Sequence, residues 1–76
     1  MNKARRKTIS KGLGDLNDAL PLLKELLEEN KQILCGIPDD KENEERIGNL
    51  EDRIDNIENA ISSLEEAISA LEQIDL

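Results

Sequence analysis

Carboxylates are the most abundant groups in this chain that could do chemistry. The 76 residues include 18 aspartates and glutamates against 10 lysines and arginines, and there is no histidine. A catalytic carboxylate needs a concave, partly dry site that shifts its pKa. Nearly all of these acids fall at positions that the helical pattern described below turns toward water. The sequence therefore predicts a protein that is not an enzyme.

Cysteine and glycine offer no stronger candidate for a reactive site. Cys35 is the single cysteine, and no histidine is available to activate its thiol. A lone cysteine fits a reducing compartment, so we expect a cytoplasmic protein. The acidic stretch DDKENEE, residues 39–45, lacks the glycine and the alternating spacing of a calcium loop. We expect no catalytic residue, no metal and no cofactor.

Basic residues cluster at the start of the chain. Residues 1–11 carry five bases and no acid, whereas residues 12–76 carry five bases and all 18 acids, a net of −13. Four of the early bases could contact phosphates: Lys3, Arg5, Arg6 and Lys7. A weak nucleic-acid binder is therefore one alternative function, although the lack of aromatic residues and of a net basic domain argues against it. We favour neutralisation of acids that the fold brings nearby: Glu65, Glu66, Glu72 and Asp75.

Aliphatic residues recur in a heptad pattern, lettered a to g, through both halves of the chain. In the second half, positions a and d are Ile47, Leu50, Ile54, Ile57, Ile61, Leu64, Ile68 and Leu71. In the first half, they are Ile9, Leu13, Leu16, Leu20, Leu23, Leu27, Asn30 and Leu34. This spacing predicts two coiled-coil helices, with Asn30 as a polar residue that sets register or oligomer state.

Turn signals separate the two predicted helices. Gly36 suits a helix C-cap, and Asp39 with Glu42 resembles a capping box that opens the second helix. Pro21 lies inside the first helix, where we expect a kink in a continuous helix. The fold class is all-α, a single antiparallel two-helix hairpin over residues 1–76. Its parts are a basic arm (1–11), helix 1 (about 10–35), a turn (36–39) and helix 2 (about 40–75).

The two predicted helices match each other when they run antiparallel. Numbers of paired a and d residues then add up to 84, as in Leu27 with Ile57. The same register brings two oppositely charged pairs together at e positions: Lys24 with Glu58, and Lys31 with Glu51. At g positions, it sets Leu26 beside Ala60 and Ala19 beside Ala67.

One flank of the hairpin is apolar. Its residues, at g positions and the adjoining Leu22, are Ala19, Leu22, Leu26, Ile33, Ala60, Ala67 and Ile74. A contiguous apolar stripe on a surface marks a protein contact. We expect two copies to bury it by dimerising into a four-helix bundle, and a foreign helix is the alternative occupant.

The opposite flank is acidic. It carries Glu51, Glu58, Glu65 and Glu72. A second alternative function is an inhibitor that captures a basic surface of a host protein through this face. Mimicry of DNA is less well supported, because the acids along helix 2 are spaced more widely than the phosphates of a duplex. No apolar run approaches the roughly 20 residues of a membrane-spanning helix, and we expect no membrane partner.

Three segments resemble a family of short proteins that phages and prophages of Gram-positive bacteria encode. They are the opening MNKARRK, the turn GIPDD and the closing IENAISSLEEAISALEQI. The family combines a basic start, a proline-containing turn and an acidic helical ending. It has no assigned activity or functional residues, so the resemblance implies only a context. That context is a small accessory protein in a bacterial cytoplasm.

Overall fold

The computed structural model describes residues 2–74 as two helices joined by a short connection. Helix α1 spans Lys3–Cys35 and helix α2 spans Glu44–Glu72, with one 3-10 turn at Lys41–Asn43 before α2. Within the described residues there is no strand. The two helices pack against each other, which confirms the all-α helical hairpin.

The dimensions show that the chain folds back on itself. The molecule measures 60 × 15 × 13 Å. A single unbroken helix of 76 residues would be about 110 Å long, and α1 alone accounts for about 50 Å. The two helices therefore lie side by side and antiparallel, with a few residues of each extending past the other.

The heptad positions form the contact between the helices. On α2 the buried residues are Leu50, Ile54, Ile57, Ile61 and Ile68, and the remaining a and d positions are half-buried. On α1 the a and d positions from Ile9 to Leu34 are half-buried, except for Asn30, which is buried. The side-chain amide of Asn30 donates to the Leu26 carbonyl over 2.8 Å, so its nitrogen has a hydrogen-bond partner.

Helix α1 begins earlier than the sequence pattern indicates, at Lys3 rather than near residue 10. Asn2 caps it, because its side-chain oxygen accepts from the Arg5 backbone N–H over 2.9 Å. Lysine, arginine and alanine are also good helix formers. The residues predicted as a basic arm are therefore the first turns of α1, and we call Lys3–Lys11 the basic segment.

Helix α1 runs unbroken through Pro21. The aliphatic spacing continues on both sides of the proline, so packing against α2 holds the helix together where the backbone loses a donor. A kink at Pro21 stays a prediction.

The connection between the helices uses a different cap from the predicted one. Gly36 ends α1 in a right-handed conformation, and its N–H bonds to carbonyls of the last turn. Asp40, and not Asp39, caps the following turn, accepting from the Asn43 backbone N–H over 3.1 Å and from its side-chain amide over 2.8 Å. Helix α2 ends at Glu72, and the predicted end at residue 75 lies outside the described residues.

The predicted ion pairs between the helices do not form. Among residues 2–74, the ion pair present joins Lys11 and Asp15 over 3.1 Å, one helical turn apart within α1. Lys24 and Lys31 do not reach Glu58 and Glu51. The basic segment likewise makes no ion pair with the acids of α2 in this part of the chain, and Asp75 lies outside it. Both helices thus keep long charged side chains in water, where such pairs stabilise by only about 0–1 kcal/mol.

Candidate interaction surface

The predicted apolar flank lies on the surface of the hairpin. Leu22 is 65% exposed, Leu26 43%, Ile33 48% and Ile74 36%. Ala60 and Ala67 are exposed, and Ala19 is half-buried. We call these seven residues the apolar flank. Its large members lie mostly on α1, and its small members lie mostly on α2.

Two further residues extend the flank on α2. Ser63 and Ala70 occupy c positions, which lie between successive g positions on the helix surface, and both are exposed. Leu22 was recognised at the matching position of α1 because of its size. Ser63 and Ala70 lie outside the predicted flank because that prediction follows the g positions of α2, although the same spacing extends the flank to its c positions.

Charge on α2 is sorted between its two flanks. The helix carries nine acids, at heptad positions e, f and b: Glu44, Glu45, Glu51, Asp52, Asp55, Glu58, Glu65, Glu66 and Glu72. Positions g and c hold no acid anywhere in α2. Its two bases, Arg46 and Arg53, both lie at g. The apolar flank therefore continues toward the turn as a positively charged strip, and the carboxylates face away from it.

A shallow depression of about 510 Å³ lies on this flank near the turn. Ile33 and Leu50 form its apolar part, and Glu42, Glu45, Arg46 and Arg53 supply charges around it. Its presence shows that Ile33 of α1 lies beside Arg53 of α2, as the predicted register requires. The depression is open and holds both signs of charge, which suits a protein side chain better than an enclosed small molecule.

The acidic face is exposed as predicted from its heptad position. Glu51, Glu58, Glu65 and Glu72 are all exposed. They lie at successive e positions along one side of α2. This arrangement gives a row of solvated carboxylates.

The four candidate phosphate contacts lie in the first two turns of α1. Lys3, Arg5, Arg6 and Lys7 are all exposed. They occupy different sides of the helix, so they form a positively charged tip rather than a single strip.

Reactive and metal-binding groups are sparse. In residues 2–74 there is no group of three or more acidic, cysteine or histidine side chains placed to hold a metal ion. Cys35 is a free, exposed thiol at the last residue of α1. Neither α1 nor α2 is long and apolar enough to cross a membrane.

Comparison with family models, with curated proteins and with solved structures finds no match to this chain.

Proposed function

We propose that this protein is a non-enzymatic interaction or assembly module that associates with a second copy through its apolar flank. Two hairpins would bury the flanks against each other and form a four-helix bundle. Large side chains (Leu22, Leu26 and Ile33) and small ones (Ala19, Ala60 and Ala67) lie on the same face, so each hairpin offers both projections and space to receive them.

The sorting of charge on α2 is the observation that carries this proposal. A helix that only needed to stay in solution could place carboxylates on every outward position. Here all nine acids avoid the g and c positions, which hold alanine, serine, asparagine and arginine instead. Depletion of acids with enrichment of arginine is typical of the buried part of a protein interface.

The exposed area also favours a partner. The accessible surface is 5820 Å², whereas a compact monomer of this 8.5 kDa mass exposes about 4,650 Å². The excess arises because two helices form a rod whose long faces have nothing to pack against. A standard protein interface covers about 800 Å² on each partner, so one docked hairpin would remove much of this excess.

The first experiment places charge in the centre of the apolar flank. Leu26→Glu together with Ala60→Glu should convert a dimer into a monomer, because two desolvated carboxylates would face a second copy. Light scattering measures the change as a mass falling from about twice 8.5 kDa to 8.5 kDa. The midpoint of thermal unfolding should fall with it, because dissociation removes the stabilisation that association provides.

A matched variant controls for the added charge. Gln32→Glu with Asn59→Glu places the same two carboxylates at exposed f positions, away from the flank. This variant should keep the dimer mass. A dimer mass that survives in the Leu26 and Ala60 variant would rule out the apolar flank as the interface.

A second candidate function uses the acidic face to bind a basic surface on another protein. The observation in its favour is that Glu51, Glu58, Glu65 and Glu72 form an exposed row opposite the flank, with Lys24 and Lys31 of α1 as the bases at the facing positions. The acids of α2 follow one another at about 5 Å along the helix axis, compared with about 1.7 Å for charges on duplex DNA. This spacing fits a protein surface better than a site built for nucleic acid.

Neutralising the row tests the second function separately from the first. Glu51→Gln with Glu58→Gln and Glu65→Gln should leave the dimer mass unchanged and abolish capture of basic proteins from a lysate at low salt. Such capture should also weaken steeply as salt rises. Failure to recover any basic protein at low salt would remove this candidate.

A further inference from the structure

The two ends of the hairpin are offset and carry opposite charge. In the antiparallel register Gly12 lies level with Ile74, so the basic segment, Lys3–Lys11, extends past the end of α2. At the other end, α1 stops at Cys35, and the turn and the start of α2 extend past it. The 60 Å length of the molecule, against about 50 Å for α1 alone, agrees with this offset.

Charge is divided between the halves of the rod in the same way. The half near the turn, residues 20–66, holds five bases and fourteen acids, a net of −9. The half near the open end, residues 3–19 with residues 67–74, holds five bases and three acids, a net of +2. The rod therefore has a strongly acidic end and a weakly basic end.

We infer that the second copy docks head to tail, with its basic segment seated on the depression near the turn of the first copy. This inference rests on the proposed self-association and fixes its geometry. Head to tail means here that the turn end of each copy meets the open end of the other. The two rods are antiparallel and are related by a two-fold axis perpendicular to the helices. Helix α1 therefore lies along α1 of the second copy, and α2 along α2.

Packing along the flank fits this arrangement. In one register, the residue numbers of two α1 residues that face each other across the copies add up to 45. Leu26 then meets Ala19 of the second copy, and Ile33 meets Gly12. On α2 the same axis sets Ala60 against Ala67. These three contacts place a large side chain against a small one, or two small ones together, whereas Leu22 lies beside the axis and packs against Leu22 and Leu23 of the second copy.

The ends of the rod fit as well. Arg5 and Arg6 occupy positions g and a, next to the flank, and reach the level of residues 39–40 of the second copy. Glu42 and Glu45 border the depression there together with Arg46 and Arg53, and residues 39–46 around it hold five acids and two bases. Arg53 comes opposite the last turn of α2 of the second copy, where the unpaired carbonyls of a helix end attract a positive charge.

The competing arrangement keeps both turns at the same end. It would pack two halves of net −9 against each other. Their helices would lie about 10 Å apart, which is close to the screening length of about 8 Å at physiological salt, so salt would screen the repulsion only in part. The same arrangement would also leave both basic segments extending freely at the other end. Charge therefore favours the head-to-tail pair.

A distance between labels on Cys35 of the two copies distinguishes the two arrangements. Cys35 is the only cysteine, it is exposed, and its b position faces away from the apolar flank, so a nitroxide label there leaves the interface intact. Head-to-tail docking separates the two Cys35 residues by 25 residues along the axis, or about 38 Å, and by about 40–45 Å between labels. Docking with both turns at one end gives a distance below about 30 Å.

Pulsed electron paramagnetic resonance on the full chain distinguishes these outcomes. A distance of about 40–45 Å supports the head-to-tail pair. A distance below about 30 Å overturns it while leaving the proposed self-association standing. The absence of any dipolar interaction between labels at concentrations above the dimer midpoint overturns both.

Charge exchange tests the contact between the basic segment and the depression. Arg5→Glu with Arg6→Glu should weaken dimerisation about tenfold, and adding Glu42→Lys with Glu45→Lys should restore most of the loss. The first variant still folds, because acids in the first turn of a helix stabilise it. Sedimentation equilibrium gives the dissociation constants.

A control with the same change in net charge separates the contact from general repulsion. Lys24→Glu with Lys31→Glu alters the e flank, away from the depression. It should weaken dimerisation less than the Arg5 and Arg6 variant does. Equal weakening by the two variants, or no restoration by the exchange, would overturn the proposed contact.

Discussion

Helices α1 and α2 share one heptad pattern but bury it to different extents. Five aliphatic side chains of α2 are buried, with 6–9% exposure, whereas the only buried residue of α1 is the polar Asn30. The large exposed side chains show the reverse distribution, since Leu22, Leu26 and Ile33 all lie on α1. Helix α2 thus completes its packing within the hairpin, and α1 presents apolar surface that the hairpin alone does not cover.

The sequence explains part of this difference. Helix α2 combines isoleucine and leucine at its a and d positions with alanine and serine beside them, so its bulk points at α1. Helix α1 places leucine both at the seam and on the flank, and it also contains Gly12, Gly14 and Pro21. A matching heptad pattern thus gives a contact but does not fix which helix is buried.

Truncating one side chain on each helix gives the strongest test of the difference in burial between α1 and α2. Ile61→Ala should lower the free energy of unfolding by about 2–5 kcal/mol, because Ile61 is only 7% exposed and its loss leaves a cavity. Leu22→Ala should change it by less than about 0.5 kcal/mol in the monomer, because Leu22 is already in water. Urea unfolding at dilutions that favour the monomer gives both values.

If the Leu22 variant lost as much stability as the Ile61 variant at high dilution, the two helices would not differ as described. A loss for the Leu22 variant that appears only at high protein concentration would instead place that residue in the dimer interface.

Pro21 provides a smaller test of the same difference. Pro21→Ala should stabilise α1 by up to about 3 kcal/mol, because it restores a backbone donor and removes a clash with the preceding turn. The matched change on α2, Ser62→Ala, should stabilise by only about 0.5 kcal/mol. Thermal unfolding followed by circular dichroism measures both, and equal effects would show that the proline costs α1 little.

The smallest effects concern the caps at the two ends. Asn2→Ala should cost about 1 kcal/mol or less and should mainly release the basic segment, because this part of α1 has no neighbouring helix in residues 2–74. Asp40→Ala should cost about 1 kcal/mol and loosen the start of α2. Amide hydrogen exchange resolves the two sites, since Asn2→Ala should speed exchange at Arg5 and leave Asn43 unchanged.

Most of the fold was predictable because the a and d residues are large and evenly spaced. Every seam position from Ile9 to Leu34 and from Ile47 to Leu71 is buried or half-buried, as expected. The start of α1 was not predictable from that pattern, because a cap at Asn2 acts on the backbone and leaves no hydrophobic signal. The cap at Asp40 was misplaced by one residue, since Asp39 and Asp40 are chemically alike and only the geometry of the turn selects between them.

The candidate surface was predictable in position but not in detail. The g positions identified the flank, and their exposure confirms that these side chains face outward. The predicted ion pairs at e failed because lysine and glutamate on a convex surface gain little from meeting each other. The depression near the turn depends on how far each helix extends past the other, which heptad spacing does not specify.

The short connection at residues 36–43 reverses the direction of the chain, so Asn2 and Ile74 lie at the same end of the hairpin. In the proposed head-to-tail pair the two Asn2 residues would lie at opposite ends, about 60 Å apart, and the two Ile74 residues would lie about 30 Å apart. A group attached at Asn2 of each copy would therefore lie at opposite ends of that pair.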